Sequence, residues 1–149
     1  MEIKDRVAIV TGGASGIGRA ASFELAKRGV KAIAMVDLTE DIKVAVEQVN
    51  NEVDGMVAIP FQGDVTNEAF RQEVFNTMEK DYGMVSICIP AAGITRDSLA
   101  IKVDKETKQA NIYPVENFKL VVDVNLIAPI YWAMEMIARI AEDRAKEGL

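Results

Sequence analysis

Residues suited to gripping a phosphorylated ligand crowd one turn near the start of this sequence, where 7–21 reads VAIVTGGASGIGRAA. Gly12, Gly13, Gly16 and Gly18 free the backbone to take positive φ and put no Cβ between the main chain and a ligand. The pattern Ile17, Ala20, Ala21, Leu25 is helical, so the glycines fall where a strand ends and a helix begins. The first amides of such a helix lack intrahelical partners and sit at its positive dipole end, which attracts phosphate oxygens. Gly16, Gly18 and Ala21 fit the G-x-G-x-x-G/A dinucleotide pattern. Asp37 follows 19 positions after Gly18, where a carboxylate reaches the 2′- and 3′-hydroxyls of an adenosine ribose. No Arg or Lys stands beside Asp37, since Leu38 and Thr39 follow it and Ser15 occupies the loop. A 2′-phosphate would therefore meet repulsion, and NAD rather than NADP is the expected cofactor.

A second candidate lies late in the chain. Pro129 has no N–H, so in an α-helix the carbonyl of Asn125, four residues back, is left free beside a polar side chain and forms a ready water site. Histidine is absent, which excludes Ser-His-Asp and Cys-His catalysis within this sequence and removes the commonest zinc ligand. No metal site is expected, and acid–base chemistry falls to Tyr, Lys, Asp or Glu.

The elements that must position these residues alternate along the chain. Apolar 7–10 reads as a strand buried on both faces, and a helix over 17–28 closes with Lys27 and Arg28 ahead of Gly29. A second strand spans 32–36, and Thr39 caps a helix with Ile42, Ala45, Val49 and Val53 on one face. A third strand spans 56–61 and ends in Gln62-Gly63-Asp64-Val65; Thr66 or Asn67 then caps a helix burying Phe70, Val74, Phe75 and Met78. A fourth strand over 85–89 runs into Pro90-Ala91-Ala92-Gly93. Parallel pairing with right-handed crossovers makes this an α/β, Rossmann-like doubly wound sheet in the order 3-2-1-4. The ligand edge of such a sheet lies beyond the strands' carboxyl ends, where Gly12 to Gly18, Asp37, Asp64 and Ala91 to Gly93 all fall. Residues 95–114 are polar, charged and aperiodic, which predicts a protruding hairpin or loop on the surface. Residues 115–148 read as one long helix whose first half is apolar nearly all round and is expected to be buried.

Composition narrows the functional classes. Half of the 149 residues are hydrophobic, enough for a single domain over 1–149 with a real core. A net charge of −6 with dispersed lysines and arginines leaves no basic face for nucleic acid. The lone cysteine, Cys88, has no disulfide partner within the sequence, and its apolar neighbours suggest a buried, inert thiol. The opening MEIKDR has no signal-peptide character, and no uninterrupted apolar run approaches the roughly 20 residues of a membrane span. The expectation is a cytoplasmic protein without a membrane partner.

Thr11-Gly12-x-x-x-Gly16-x-Gly18 resembles the cofactor loop of the short-chain dehydrogenase/reductase family, and the resemblance runs along essentially the whole chain. It implies hydride transfer between a nicotinamide and a secondary alcohol or ketone. Asp64-Val65 resembles the family's adenine-contacting pair, the carboxylate accepting from the exocyclic amine. Ala92-Gly93 matches the end of the family's Asn-Asn-Ala-Gly segment, but Pro90 and Ala91 replace both asparagines; only close approach of a small-residue backbone to the cofactor carries over. Asn125, in Asp123-Val124-Asn125-Leu126, is similar to the family's helix asparagine, which helps hold a water for proton relay. Ala92 to Asp97, AGITRD, resembles a segment of 3-oxoacyl-carrier-protein reductases and hints at a 3-oxoacyl-like substrate.

The family's acid–base tyrosine has a lysine four residues later. Here that position holds Ser86 after Tyr82, Asn117 after Tyr113 and Glu135 after Tyr131. The resemblance thus implies the amino-terminal, cofactor-binding part of a longer enzyme, with an unpaired fourth strand and an exposed helix that favour self-association. A non-catalytic dinucleotide-binding module on the same fold is the alternative. An S-adenosylmethionine methyltransferase shares the glycine turn, but would carry an acid where Thr11 stands.

Overall fold

A computed structural model describes residues 2–148. Its first seven elements alternate: β1 (Val7–Thr11), α1 (Gly16–Lys27), β2 (Ala32–Asp37), α2 (Asp41–Glu52), β3 (Ala58–Gln62), α3 (Glu68–Tyr82) and β4 (Val85–Pro90). The four strands are parallel in the order β3-β2-β1-β4, the doubly wound arrangement expected of the sequence. A two-stranded antiparallel hairpin follows, β5 (Ile101–Val103) and β6 (Ala110–Ile112), within the segment expected to protrude. The chain closes with α4 (Val115–Val122), a π-helical turn (Asp123–Ile127) and α5 (Ala128–Lys146).

Period-two alternation in the central strands divides the core into two layers. Ala8, Val10, Ile33 and Met35 point toward Leu25 and Ala26 of α1 and Ile42, Ala45 and Val49 of α2. Val7, Ile9, Ala32, Ala34 and Val36 point the other way, toward Val74, Phe75 and Met78 of α3 and Val124, Ala128 and Trp132 of the last helices. A buried polar network ties α3 to α5. Arg71, whose side chain is 7% exposed, lies 3.5 Å from Glu135, which also accepts from Arg139 at 2.9 Å. Arg139 reaches on to Glu79 at 2.8 Å and covers the Phe75 ring. Burial opposes the Arg139 charge, but the bonds from Glu79 and Glu135 together hold its pKa above the ordinary value.

Several local expectations are corrected. The buried face of α1 is Gly18, Ser22, Leu25 and Ala26, because close contact with the β1 turn requires glycine on the inner side; Ile17 and Ala20 face outward. Thr39 does not cap α2: its N–H and hydroxyl go to Asp37, and Glu40 stands at the cap position without a side-chain bond. Asn67 does cap α3, accepting from the Phe70 N–H at 3.0 Å. β3 starts at Ala58 rather than residue 56, since buried Asn50 takes the N–H groups of Val57 and Ala58 and donates to the Ala58 carbonyl, a side chain standing in for a neighbouring strand. Pro60 fits because β3 is an edge strand.

The largest correction concerns the last helix. No residue of α4 is buried, and apolar side chains continue outward along α5 at Ile130, Met134 and Ile137. Only Val124, Ala128 and Trp132 are buried, with Met136 packed against the same core, because the described residues place the sheet on one side of this helix and nothing on the other. The span Val115–Lys146 also contains an 18-residue window of mean hydropathy 1.5, of which 17% is buried. By length and composition it could cross a membrane; the count of uninterrupted apolar runs missed it because isolated charges break the run without lowering the window below that level.

Candidate functional site

The carboxyl ends of the four strands open into a cleft of about 480 Å³. Its base is the β1–α1 turn, with Gly12, Ser15, Gly16 and Ile17. One wall carries Asp37 and Leu38 from β2, then Gly63, Asp64 and Val65 from the corner after β3. The facing wall is Ala91, Ala92, Gly93 and Ile94 after β4, with Val124 from the π turn. Five segments distant in sequence meet here because order reversal between β1 and β4 leaves the crevice uncovered.

Three glycines do three different things. Gly12 has φ +68°, and a Cβ on it would lie 2.8 Å from the Ala91 carbonyl oxygen and the Ala92 backbone. Its bareness lets the loop after β4 nest on the turn, where the Thr11 hydroxyl accepts the Ala92 N–H at 3.2 Å and the Thr11 carbonyl accepts that of Ala91 at 3.2 Å. Gly18 lies beneath the cleft rather than in its lining, and a Cβ there would overlap the Gly12 carbonyl. Gly16 has φ +52° with nothing within 4 Å of its Cβ position, so it faces open space at the amino end of α1. The unpartnered amides of the first helical turn therefore border the cleft.

Asp37 is half-buried and fixed before any ligand arrives. Its Oδ2 accepts the Ala14 N–H at 3.1 Å, and its Oδ1 accepts the Thr39 N–H at 3.2 Å and the Thr39 hydroxyl at 3.3 Å. These bonds fill Oδ1 and leave Oδ2 with accepting capacity for a further donor. Asp64 is exposed and spends Oδ1 on the Thr66 N–H at 2.8 Å and hydroxyl at 2.7 Å, with Oδ2 outside those bonds. Ile17, 80% exposed, and Leu38, 67% exposed, bring large apolar side chains to the cleft, which contains two acids and no Lys or Arg in its lining.

Asn125 stands apart from the lining. Its Oδ1 accepts the Ile94 N–H and its Nδ2–H donates to the Ile94 carbonyl, both at 2.8 Å, so the whole carboxamide is committed to one residue of the cleft wall. Gly93 permits this approach, its Cβ position lying 3.5 Å from Asn125 Oδ1. Around Asn125 the backbone is π-helical, with the Ala128 N–H donating to the Asp123 carbonyl, a register that changes which carbonyls the missing Pro129 N–H deprives. The α-helical argument for a free Asn125 carbonyl therefore does not carry over unchanged.

Gly63, Ile94 and Val124 also line the cleft, although nothing about them as single residues points to a ligand. Gly63 carried a signal in its place between a strand end and Asp64; Ile94 and Val124 carried none beyond proximity to Gly93 and Asn125. None of Tyr82, Tyr113 and Tyr131 lines the cleft, and the Tyr113 hydroxyl donates to the Arg96 carbonyl at 2.6 Å. Burial pushes the Cys88 thiol up to about 12, which makes it inert at neutral pH, as its apolar strand suggested.

The family model described as short chain dehydrogenase matches residues 6–148. Among curated proteins, the chain is 38% identical to the short-chain dehydrogenase/reductase homolog YusS of Bacillus subtilis (strain 168) over 97 residues, 64% of this chain and 87% of that one. It is 31% identical to the 3-oxoacyl-[acyl-carrier-protein] reductase FabG of Thermotoga maritima over 112 residues, 75% of this chain and 45% of that one. A solved short-chain dehydrogenase from Novosphingobium aromaticivorans superposes with a TM-score of 0.80 at 25% identity, covering 99% of this chain and 49% of its own. The chain thus spans about half the length of that solved relative and most of YusS. With a match along nearly its entire length, and with the glycine turn, Asp37 and the small-residue loop gathered at one crevice, this chain belongs to the short chain dehydrogenase family.

Proposed function

We propose that this chain carries the NAD site of an oxidoreductase that moves hydride between a nicotinamide and a secondary alcohol or ketone. The observation that carries the reading is the Asp37 carboxylate, held by Ala14 and Thr39 at the end of β2 on the same cleft as the glycine turn. A fixed acceptor on that wall suits a ribose hydroxyl, and a lining without Lys or Arg offers a 2′-phosphate no counter-charge. The residues fit a dinucleotide in other ways too. The bare Gly12 and Gly16 and the first amides of α1 would hold the pyrophosphate, Leu38 and Val65 flank an apolar slot, and Asp64 Oδ2 would accept from an adenine amine. When bound, the nicotinamide supplies or receives the hydride. Ala91 to Ile94 would form the wall at that end, and Asn125, which holds this wall in place through Ile94, is by the family resemblance the candidate to help hold a proton-relay water.

A 3-oxoacyl-like substrate agrees with the AGITRD segment and with the likeness to a 3-oxoacyl-carrier-protein reductase. Self-association completes the proposal, since β4 is a sheet edge and an apolar helix face lies beside it. Titration calorimetry tests the cofactor reading. NAD is expected to bind more tightly than NADP, and Asp37→Ala to weaken NAD about tenfold or more while narrowing that gap. An unchanged preference in Asp37→Ala would refute the role given to the carboxylate.

A further inference from the structure

We propose that Trp132, the sole tryptophan of the chain, is a positioning residue for the adenine end of the cleft, acting from behind through the corner formed by Gly63, Asp64 and Val65. The inference rests on the dinucleotide reading above and adds a residue nearly 70 positions away that touches no ligand.

Three hydrogen bonds to backbone groups shape that corner. The Gly63 N–H donates to the Asp37 carbonyl at 2.9 Å, the Asn67 N–H donates to the Asp64 carbonyl at 3.0 Å, and the Trp132 indole N–H donates to the Val65 carbonyl at 2.9 Å. The first two link the corner to neighbouring loops at the strand ends. The third alone ties it to α5, and it is made by a side chain with no exposed surface. A buried indole N–H and a buried carbonyl both need partners, and here each is the other's. Packing reinforces the bond. Phe70 lies edge-on to Trp132 with ring centroids 6.4 Å apart, and Phe75 is tilted against it at 5.9 Å. The same Phe70 ring fills the space behind Gly63, where a Cβ would come within 2.5 Å of it. Behind the wall that faces a ligand with Gly63, Asp64 and Val65 stand the edge-on and tilted rings of α3 and α5.

Two consequences follow for this wall. Its set, and with it the place of Asp64 Oδ2 and the Val65 side chain, depends on the seating of α5. Conversely, a ligand pressing on Val65 alters the acceptor of the only indole, which makes the native fluorophore a reporter of that end of the cleft.

Fluorescence of the intact wild-type chain, excited at the red edge of indole absorption, tests this without any substitution. NAD is expected to shift or quench the emission, and AMP alone to reproduce the change, while nicotinamide mononucleotide leaves it unaltered. Trp132→Phe, which keeps the ring packing and drops the N–H, is expected to weaken AMP and NAD to a similar degree, about fivefold by calorimetry, the loss of one ordinary hydrogen bond expressed as affinity. A merely structural role would lower the melting temperature without that adenine-end loss, and Phe70→Leu, which retains the indole bond, should leave most of the emission response intact. If calorimetry shows NAD bound and the indole is silent, or answers nicotinamide mononucleotide but not AMP, the positioning role is overturned and the cleft assignment survives. If wild-type protein gives no heat with NAD, the cleft assignment fails and takes this inference with it.

Discussion

The central strands that lead to the crevice and the outer face of the last helix both carry many apolar residues, yet they end in opposite states. β1 is buried at every position and β2 at all but Asp37, because each has a strand on both sides and a helix layer on both faces. α4 buries nothing, and Phe118 and Ile137 stand 61% and 59% exposed. Hydrophobicity supplies a demand for burial, but neighbours decide whether it is met. The crevice is lined by the loops after β1 to β4 and by Val124, which belongs to the one buried stripe of the final helices. The two regions should therefore respond independently to substitution.

Breaking the crevice should have the largest effect. Gly18→Ala drives a Cβ into the Gly12 carbonyl, and we expect a loss of about 3 kcal/mol in stability and more than about 100-fold in NAD affinity. Gly16→Ala meets open space and should cost only roughly 1–2 kcal/mol for its positive φ. Thermal denaturation and calorimetry on the pair separate space from conformation; equal losses would show that clash is not the issue.

The outer face offers the reverse experiment. Ile130→Glu combined with Ile137→Glu is expected to shift the protein toward monomer in sedimentation velocity, while NAD affinity and melting temperature stay nearly constant because both side chains are exposed. A change in affinity as large as the change in association would end the claim of independence.

Smaller effects belong to the hairpin, whose turn is held by local bonds. Asp104 Oδ1 accepts the Thr107 N–H at 2.7 Å, the Thr107 hydroxyl at 3.0 Å and the Glu106 N–H at 2.9 Å. The Thr107 N–H chiefly, then its hydroxyl and the Glu106 N–H, hold the carboxyl below its usual 3.8. A lowered folded value stabilises the turn above the ordinary carboxylate range, and that contribution disappears as pH falls through the lowered value. Amide shifts of Glu106 and Thr107 should move together with this titration below pH about 4, and Asp104→Ala should abolish the step. Least of all, Lys108→Gly should firm the hairpin by up to about 1 kcal/mol, since Lys108 holds φ +60°, seen as slower hydrogen exchange at the β5–β6 pair.

Much of the fold was legible because its signals are short-range. The glycine turn, the alternation of strand and helix, the Asn67 cap and the hairpin each depend on a few adjacent residues. What misled were places where a side chain is engaged elsewhere than the local pattern suggests. Thr39 has the chemistry of a cap but bonds the Asp37 carboxylate, and Asn50 trims the start of β3. The segments expected at the ligand edge do meet at one cleft: Gly12, Ser15, Gly16, Ile17, Asp37, Asp64 and Ala91 to Gly93 line it, and Gly18 lies beneath it. Trp132 escaped because an indole at helical spacing reads only as core.

The order of residues alone determined that a strand, a bare turn and a helix would present free amides beside a carboxylate, since glycine placement and apolar period act locally on the backbone. Only the tertiary structure decided which polar groups would be spent on one another, which wall the lone indole would brace, and which apolar face of the last helix would find a partner. Those outcomes depend on distances between segments that no local pattern encodes, and a hydrogen bond or a buried surface exists only once both of its sides have been brought together.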